Sequence, residues 1–159
     1  MPTEARLFED TENGVIVITT EEGAAKLTGR KDIQLVTTGA REGRVDLQEA
    51  MKKLGDIGLN TVLLEGGSKL NGSMLDLGLV DRVAGFIAPV LLGGENAISP
   101  VSGVGLDKVT EAHRLRDIGW TAVGDDLLVE GYLWKPGDVL EIPYQLPTDK
   151  GAVPSPAEA

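Results

Sequence analysis

The chain has 159 residues, a length that suits one domain, with 42% hydrophobic and 25% charged residues. Fifteen basic residues against 25 acidic ones give a formal net charge of −10, and aromatics make up 4%. This excludes nucleic-acid binding through the phosphate backbone or through base stacking. Cysteine is absent and His113 is the single histidine, which excludes disulfides, thiol nucleophiles, cysteine zinc sites and a three-histidine metal site.

No apolar run approaches the ~18 residues that span a membrane. Met1-Pro2-Thr3-Glu4 lacks the basic and then apolar pattern of a signal peptide. A soluble, cytoplasmic protein with no membrane partner is therefore expected.

Along the chain, short runs rich in Val, Ile and Leu come first. Val15–Ile18 leads into Thr19-Thr20, and Ile33–Val36 leads into Thr37-Thr38-Gly39. Thr61–Leu64 leads into Glu65-Gly66-Gly67. Continuous runs of this kind predict strands buried on both faces of a parallel sheet. Between the second and third runs, Leu47, Ala50, Met51 and Leu54 follow helical spacing, with Asp46 as the N-cap. Strand, helix, strand is a βαβ unit.

Past Gly67, Ser68 is placed to cap a helix reaching about Leu77, with Leu70, Met74 and Leu77 on one face and Gly78 ending it. Val83–Leu92 predicts a further buried strand stopped by Gly93-Gly94, and residues 93–105 read as loop. His113–Val123 and Leu127–Trp134 predict antiparallel neighbours about a turn at Gly124-Asp125-Asp126. Trp120 and Trp134 read as core or edge packing. From Pro136 onward there are five of the eight prolines, so residues 148–159 are expected to be a disordered tail, with residues 139–146 as a possible extended arm.

The most informative stretch is Leu64-Glu65-Gly66-Gly67-Ser68-Lys69-Leu70. A strand ends in a carboxylate, two glycines follow, and a helix begins at once. Glycines let backbone approach a ligand closely, and a helix start favours a phosphate. The plain alternative is a tight strand-to-helix turn with a surface glutamate. Neither G-x-x-x-x-G-K-[ST] nor a complete G-x-G-x-x-G occurs, and Gly103-Val104-Gly105 reads as loop. Thr19 and Thr20, at a strand's carboxyl end, could hold a nucleotide phosphate or cap the next turn. Asp125-Asp126 reads as solvated acids on a hairpin tip, and His113 has no triad partner near it in sequence.

Three blocks carry a resemblance: Thr61–Leu70, Gly78–Val83, and Phe86–Gly94, with Val123–Tyr132 similar as well. From Asn60 to Trp134 the chain resembles the reductase half of the bacterial riboflavin-biosynthesis deaminase/reductase, with a weaker match over residues 1–59. The resemblance implies an α/β fold similar to dihydrofolate reductase: three layers, a mostly parallel sheet and a C-terminal antiparallel hairpin. It implies NADPH-dependent reduction of 5-amino-6-(5-phosphoribosylamino)uracil at the sugar C1, and a homodimer. It places Gly66, Gly67, Ser68, Lys69, Leu70, Asn71, Gly72 and Ser73 around the NADPH pyrophosphate. Glu65 would then face the substrate, and Thr19 or Thr20 would lie near the 2′-phosphate side, where Lys26 and Arg30 are the nearest basic residues. No metal is implied.

The chain departs from the family twice. Without cysteine the zinc deaminase half is excluded. The family's first two strands also have no counterpart, so residues 1–147 are expected to form a partial reductase domain. Thr61–Leu64 would lack both strand neighbours unless a second chain supplied them. Two alternatives stay open: a dihydrofolate-reductase-like enzyme for another pterin or pyrimidine, and a non-catalytic nucleotide-binding module.

Overall fold

A computed structural model describes Phe8 and residues 14–133. The proposed tail at 148–159, the arm at 139–146 and Trp134 lie outside the described residues. The chain divides between Gly66 and Gly67 into two compact units.

In the first unit, β1 (Val15–Thr20) and β2 (Ile33–Thr38) pair in parallel, with Val15 opposite Ile33 and Thr20 opposite Thr38. The short helix α1 (Glu21–Ala25) follows β1, and a two-residue ribbon of β3 (Ala40–Arg41) and β4 (Arg44–Val45) follows β2. Helix α2 (Leu47–Asp56) begins where its spacing and its cap predict. Asp46 accepts from the Gln48 and Glu49 N–H groups at 3.0 and 3.1 Å, which satisfies donors that a helix start cannot pair internally. Among the described residues of this unit, Phe8, Val36, Thr38, Ala50 and Leu54 are buried. Arg30 lies over the Phe8 ring at 4.0 Å and bridges to Asp32 at 2.5 Å.

Helix α2 is tied to the end of β2 by polar contacts. The Lys53 ammonium donates to the Thr37 carbonyl at 2.6 Å and pairs with Glu49 at 2.8 Å. The Gly39 N–H donates to Glu49 at 2.7 Å. Lys53 first, and the Gly39 N–H second, hold the Glu49 carboxyl below the usual carboxylate range. A carboxylate whose folded pKa lies below its unfolded value stabilises the fold fully above the unfolded value, and loses that contribution as pH falls through the folded one. Glu49→Gln is therefore expected to be less stable than the parent at pH 7, with the gap narrowing as the pH is taken below the ordinary glutamate value of about 4.3. Urea unfolding on both sides of that value measures this.

In the second unit, α3 (Ser68–Asp76) is followed by β5 (Arg82–Ile87), a 3₁₀ turn (Val109–Glu111), β6 (Arg116–Val123) and β7 (Asp126–Tyr132). The three strands form one antiparallel sheet in the order β5-β7-β6. The expected β6–β7 hairpin is present. Helix α3 ends at Gly78, whose φ of +67° lets its N–H reach the Leu75 carbonyl while the Leu79 N–H reaches Met74, both at 2.9 Å. Arg82 pairs with Glu130 at 2.5 Å across β5 and β7.

Several expectations are corrected. Thr61–Leu64 forms no strand ladder, and Leu63 is 80% exposed. An apolar run becomes a strand only where another strand offers its edge, and none is paired to this one. The predicted strand Val83–Leu92 stops at Ile87, because its partner β7 begins at Asp126 and the last pair is Ile87 with Leu127. Leu91 and Leu92 are therefore exposed rather than buried. The strand expected from His113 starts at Arg116, with a register shift between Arg116 and Gly119. It is exposed at every position, so Trp120 sits on an edge strand but is not core. Burial on both faces also fails for β1 and β2, where only Val36 and Thr38 are buried. Parallel pairing among the described strands is confined to β1 and β2.

Candidate nucleotide site

The helix start after the paired glycines has the geometry of an anion site. Gly67 is the N-cap of α3, in extended backbone at φ −72° and ψ 169°. This corrects the expectation that Ser68 caps; Ser68 is the first helical residue. Gly67 has no side chain to offer, so no side-chain cap bonds the first turn. The Leu70 and Asn71 N–H groups reach back to the Gly67 carbonyl at 3.0 and 3.1 Å. The Ser68 and Lys69 N–H groups precede these, where a helix has no carbonyl to give them. The space where a Gly67 Cβ would stand is open to 4 Å. Open space, N–H donors unclaimed among the described residues, and the positive end of a helix fit a pyrophosphate.

Other residues of the sequence-derived set lie one turn further in, with their groups committed inside the protein. Ser73 donates to the Lys69 carbonyl at 3.0 Å. Asn71 donates to the Pro100 carbonyl at 3.0 Å. Gly72 is buried, and its Cα lies so close to the Ser102 backbone that a Cβ there would overlap the Ser102 carbonyl oxygen. Leu70 is 38% exposed. Glu65 is exposed, one residue before the glycine pair.

Thr19 and Thr20 end β1 in the first unit. The Thr20 hydroxyl accepts from the Gly23 N–H at 3.3 Å and caps α1, the turn-capping role left open above. The Thr19 side chain packs against Gly23, where a Cβ would collide with its hydroxyl. Lys26 pairs with Glu22 at 3.1 Å on the surface. Arg30 pairs with Asp32, whose hydrogen bonds hold the Arg30 guanidinium above its ordinary pKa and the Asp32 carboxyl below its own. His113 is exposed. Among the described residues no cluster of three metal-ligating side chains occurs, and no helix is long and apolar enough to cross a membrane.

Sequence reasoning missed the segment Ser99–Val104, which lies along α3. The signal was Gly72 itself. A glycine inside a helix costs about 1 kcal/mol against alanine and often marks a close backbone approach.

Comparison with known proteins bears on this site. Residues 1–129 match the model of the RibD C-terminal domain family, and the chain belongs to that family. The match includes the amino-terminal segment, where the sequence resemblance was weaker. The riboflavin biosynthesis protein RibD of Actinobacillus pleuropneumoniae is 40% identical over 98 residues, covering 62% of this chain and 26% of that protein. The 2,5-diamino-6-ribosylamino-4(3H)-pyrimidinone 5′-phosphate reductase of Methanothermobacter thermautotrophicus is 44% identical over 101 residues, covering 64% of this chain and 46% of that protein. The chain thus spans from about a quarter to about half the length of these relatives. The solved structure of Acinetobacter baumannii RibD shares the fold, with a TM-score of 0.63 over 85% of this chain and 35% of that one at 20% identity.

Proposed function

We propose that this chain is reductase machinery of riboflavin biosynthesis. The reaction is the NADPH-dependent reduction of 5-amino-6-(5-phosphoribosylamino)uracil to its ribitylamino product. The observation that carries the reading is the uncapped, glycine-started helix α3, in a chain of this family that is 44% identical to a named pyrimidinone phosphate reductase. The nicotinamide, when bound, supplies the hydride for the sugar C1 of the open-chain imine, while the neighbouring nitrogen takes a proton.

The chain's own part is to bind and orient. The Ser68 and Lys69 N–H groups hold the pyrophosphate, with Gly66 and Gly67 giving the backbone close approach. Glu65 faces the substrate. The family resemblance is the ground for assigning Thr19 and Thr20 to the adenosine 2′-phosphate. Lys26 is the cation we assign to that phosphate, since an exposed lysine–glutamate pair is held by little and can be exchanged for a stronger anion. A cytoplasmic homodimer belongs to the same reading, and the exposed apolar residues Phe86, Ile87 and Trp120 support association with a second copy.

The test is absorbance at the reduced-nicotinamide band with the pyrimidine substrate. Oxidation of NADPH that depends on that substrate, faster than with NADH, is the expected result. Glu65→Gln is expected to lower turnover by about tenfold or more, an effect of about 1.4 kcal/mol, with NADPH affinity unchanged. NADPH binding without substrate-dependent oxidation would reject the reading in favour of a non-catalytic nucleotide module.

A further inference from the structure

We infer that the segment Ser99–Val104 is a second wall of the nucleotide site, and that Asn71, Gly72 and Asp76 are positioning residues that latch it onto α3. The inference rests on the nucleotide reading proposed above and extends it to residues that no phosphate motif marks.

The latch follows the helical period. Ser68, Gly72 and Asp76 are four residues apart and Asn71 adjoins Gly72, so they share one stripe of α3. Along that stripe the Pro100 carbonyl accepts from Asn71 Nδ2 at 3.0 Å. The Ser102 N–H donates to the Ser68 carbonyl at 3.0 Å. The Val104 N–H donates to Asp76 Oδ2 at 3.4 Å. Ser99 braces the turn from within, its hydroxyl donating to the Val101 carbonyl at 2.6 Å.

Gly72 makes the approach possible. A Cβ there would overlap the Ser102 carbonyl and lie 3.2 Å from the Gly103 Cα. These are backbone atoms, and no side-chain rotation relieves them. Asn71 Oδ1 is buried without a partner among the described residues, so its amide is held by the Pro100 contact alone. The latch reaches the first residue of α3 through the Ser68 carbonyl and leaves the Ser68 N–H unused. The Ser68 carbonyl points toward the second turn and its N–H toward the helix start, so an anion held by the first-turn N–H groups would stand one turn, ~5 Å, from the Ser102 contact. Asn71 and Gly72 would then act on the cofactor through the segment rather than by touching it.

The test combines amide hydrogen exchange of peptides covering 93–107 with NADPH titration by fluorescence, on the parent, Gly72→Ala and Asn71→Ala. In the parent, NADPH is expected to slow exchange of the segment about fivefold or more, a protection that a purely structural loop would not gain. Gly72→Ala is expected to speed its exchange in the free protein about tenfold and to raise the NADPH Kd about tenfold. Asn71→Ala should move both in the same direction by less. Should Gly72→Ala fail to fold, Asn71→Ala and the ligand protection in the parent decide. A released segment with unchanged Kd, or a parent that binds NADPH without protecting the segment, overturns this inference and leaves the nucleotide reading standing. A parent that binds no NADPH overturns both.

Discussion

Gly67→Asp is expected to weaken NADPH binding by on the order of a hundredfold, about 2.7 kcal/mol, without lowering the stability of the free chain. The two effects have opposite signs because they act on one set of N–H groups. Gly67 sits in extended backbone that any residue adopts, with open space at its Cβ, so aspartate enters without strain. Aspartate is among the best N-caps, whereas glycine offers the first turn no side-chain acceptor. Its carboxylate also suits the positive end of the helix. The same carboxylate would occupy the ground proposed for the pyrophosphate and repel it. Unit charges 4 Å apart near a protein surface interact by roughly 4 kcal/mol, so a hundredfold loss is a modest expectation. Melting curves with and without NADPH measure both effects together. A variant that is destabilised and still binds would contradict the assignment.

Leu54→Ala is expected to destabilise the first unit by about 2–5 kcal/mol, while Leu63→Ala stays within about 0.5 kcal/mol of the parent. The leucines are chemically identical and differ in placement. Leu54 is 6% exposed on the inner face of α2, which packs on β2. Leu63 is 80% exposed in a segment without strand partners. Burying a leucine side chain contributes about 1.5–3 kcal/mol, and the cavity left on truncation adds to the loss. Small domains have only about 5–15 kcal/mol in total, and the described core of this unit is short. Leu54→Ala should therefore lower the urea midpoint strongly or abolish the cooperative transition. Equal effects from the two substitutions would show that Thr61–Leu64 is packed in solution.

The parts of the fold legible in the sequence are those decided locally. Helix α2 has helical spacing and an Asp46 cap, both set within the segment itself, and it forms as read. Strands β1 and β2 and the β6–β7 hairpin were legible from run length and turn residues. What failed depended on partners distant in sequence. The end of β5 is set by where β7 begins, and Val83–Leu92 carries no mark of that limit. Thr61–Leu64 has the composition of a strand but no paired edge. In the site, the glycine pair and the helix start were legible because they are contiguous. The role of Ser102 was not, since it lies thirty positions from Gly72 and meets it through backbone atoms. For Thr20, the residues favoured capping and the resemblance brought in phosphate binding, and only the hydrogen bond from Gly23 shows which the hydroxyl performs in the free protein.

The most direct test of the nucleotide assignment is an NMR titration of the ¹⁵N-labelled chain with NADPH, following backbone amides one by one. The largest shifts are expected at Gly66, Gly67, Ser68 and Lys69, with the Ser102 amide moving in step and all of them lost in Gly67→Asp. Saturable binding whose shifts leave the first turn of α3 unmoved, or that persists unchanged in Gly67→Asp, would contradict the nucleotide assignment.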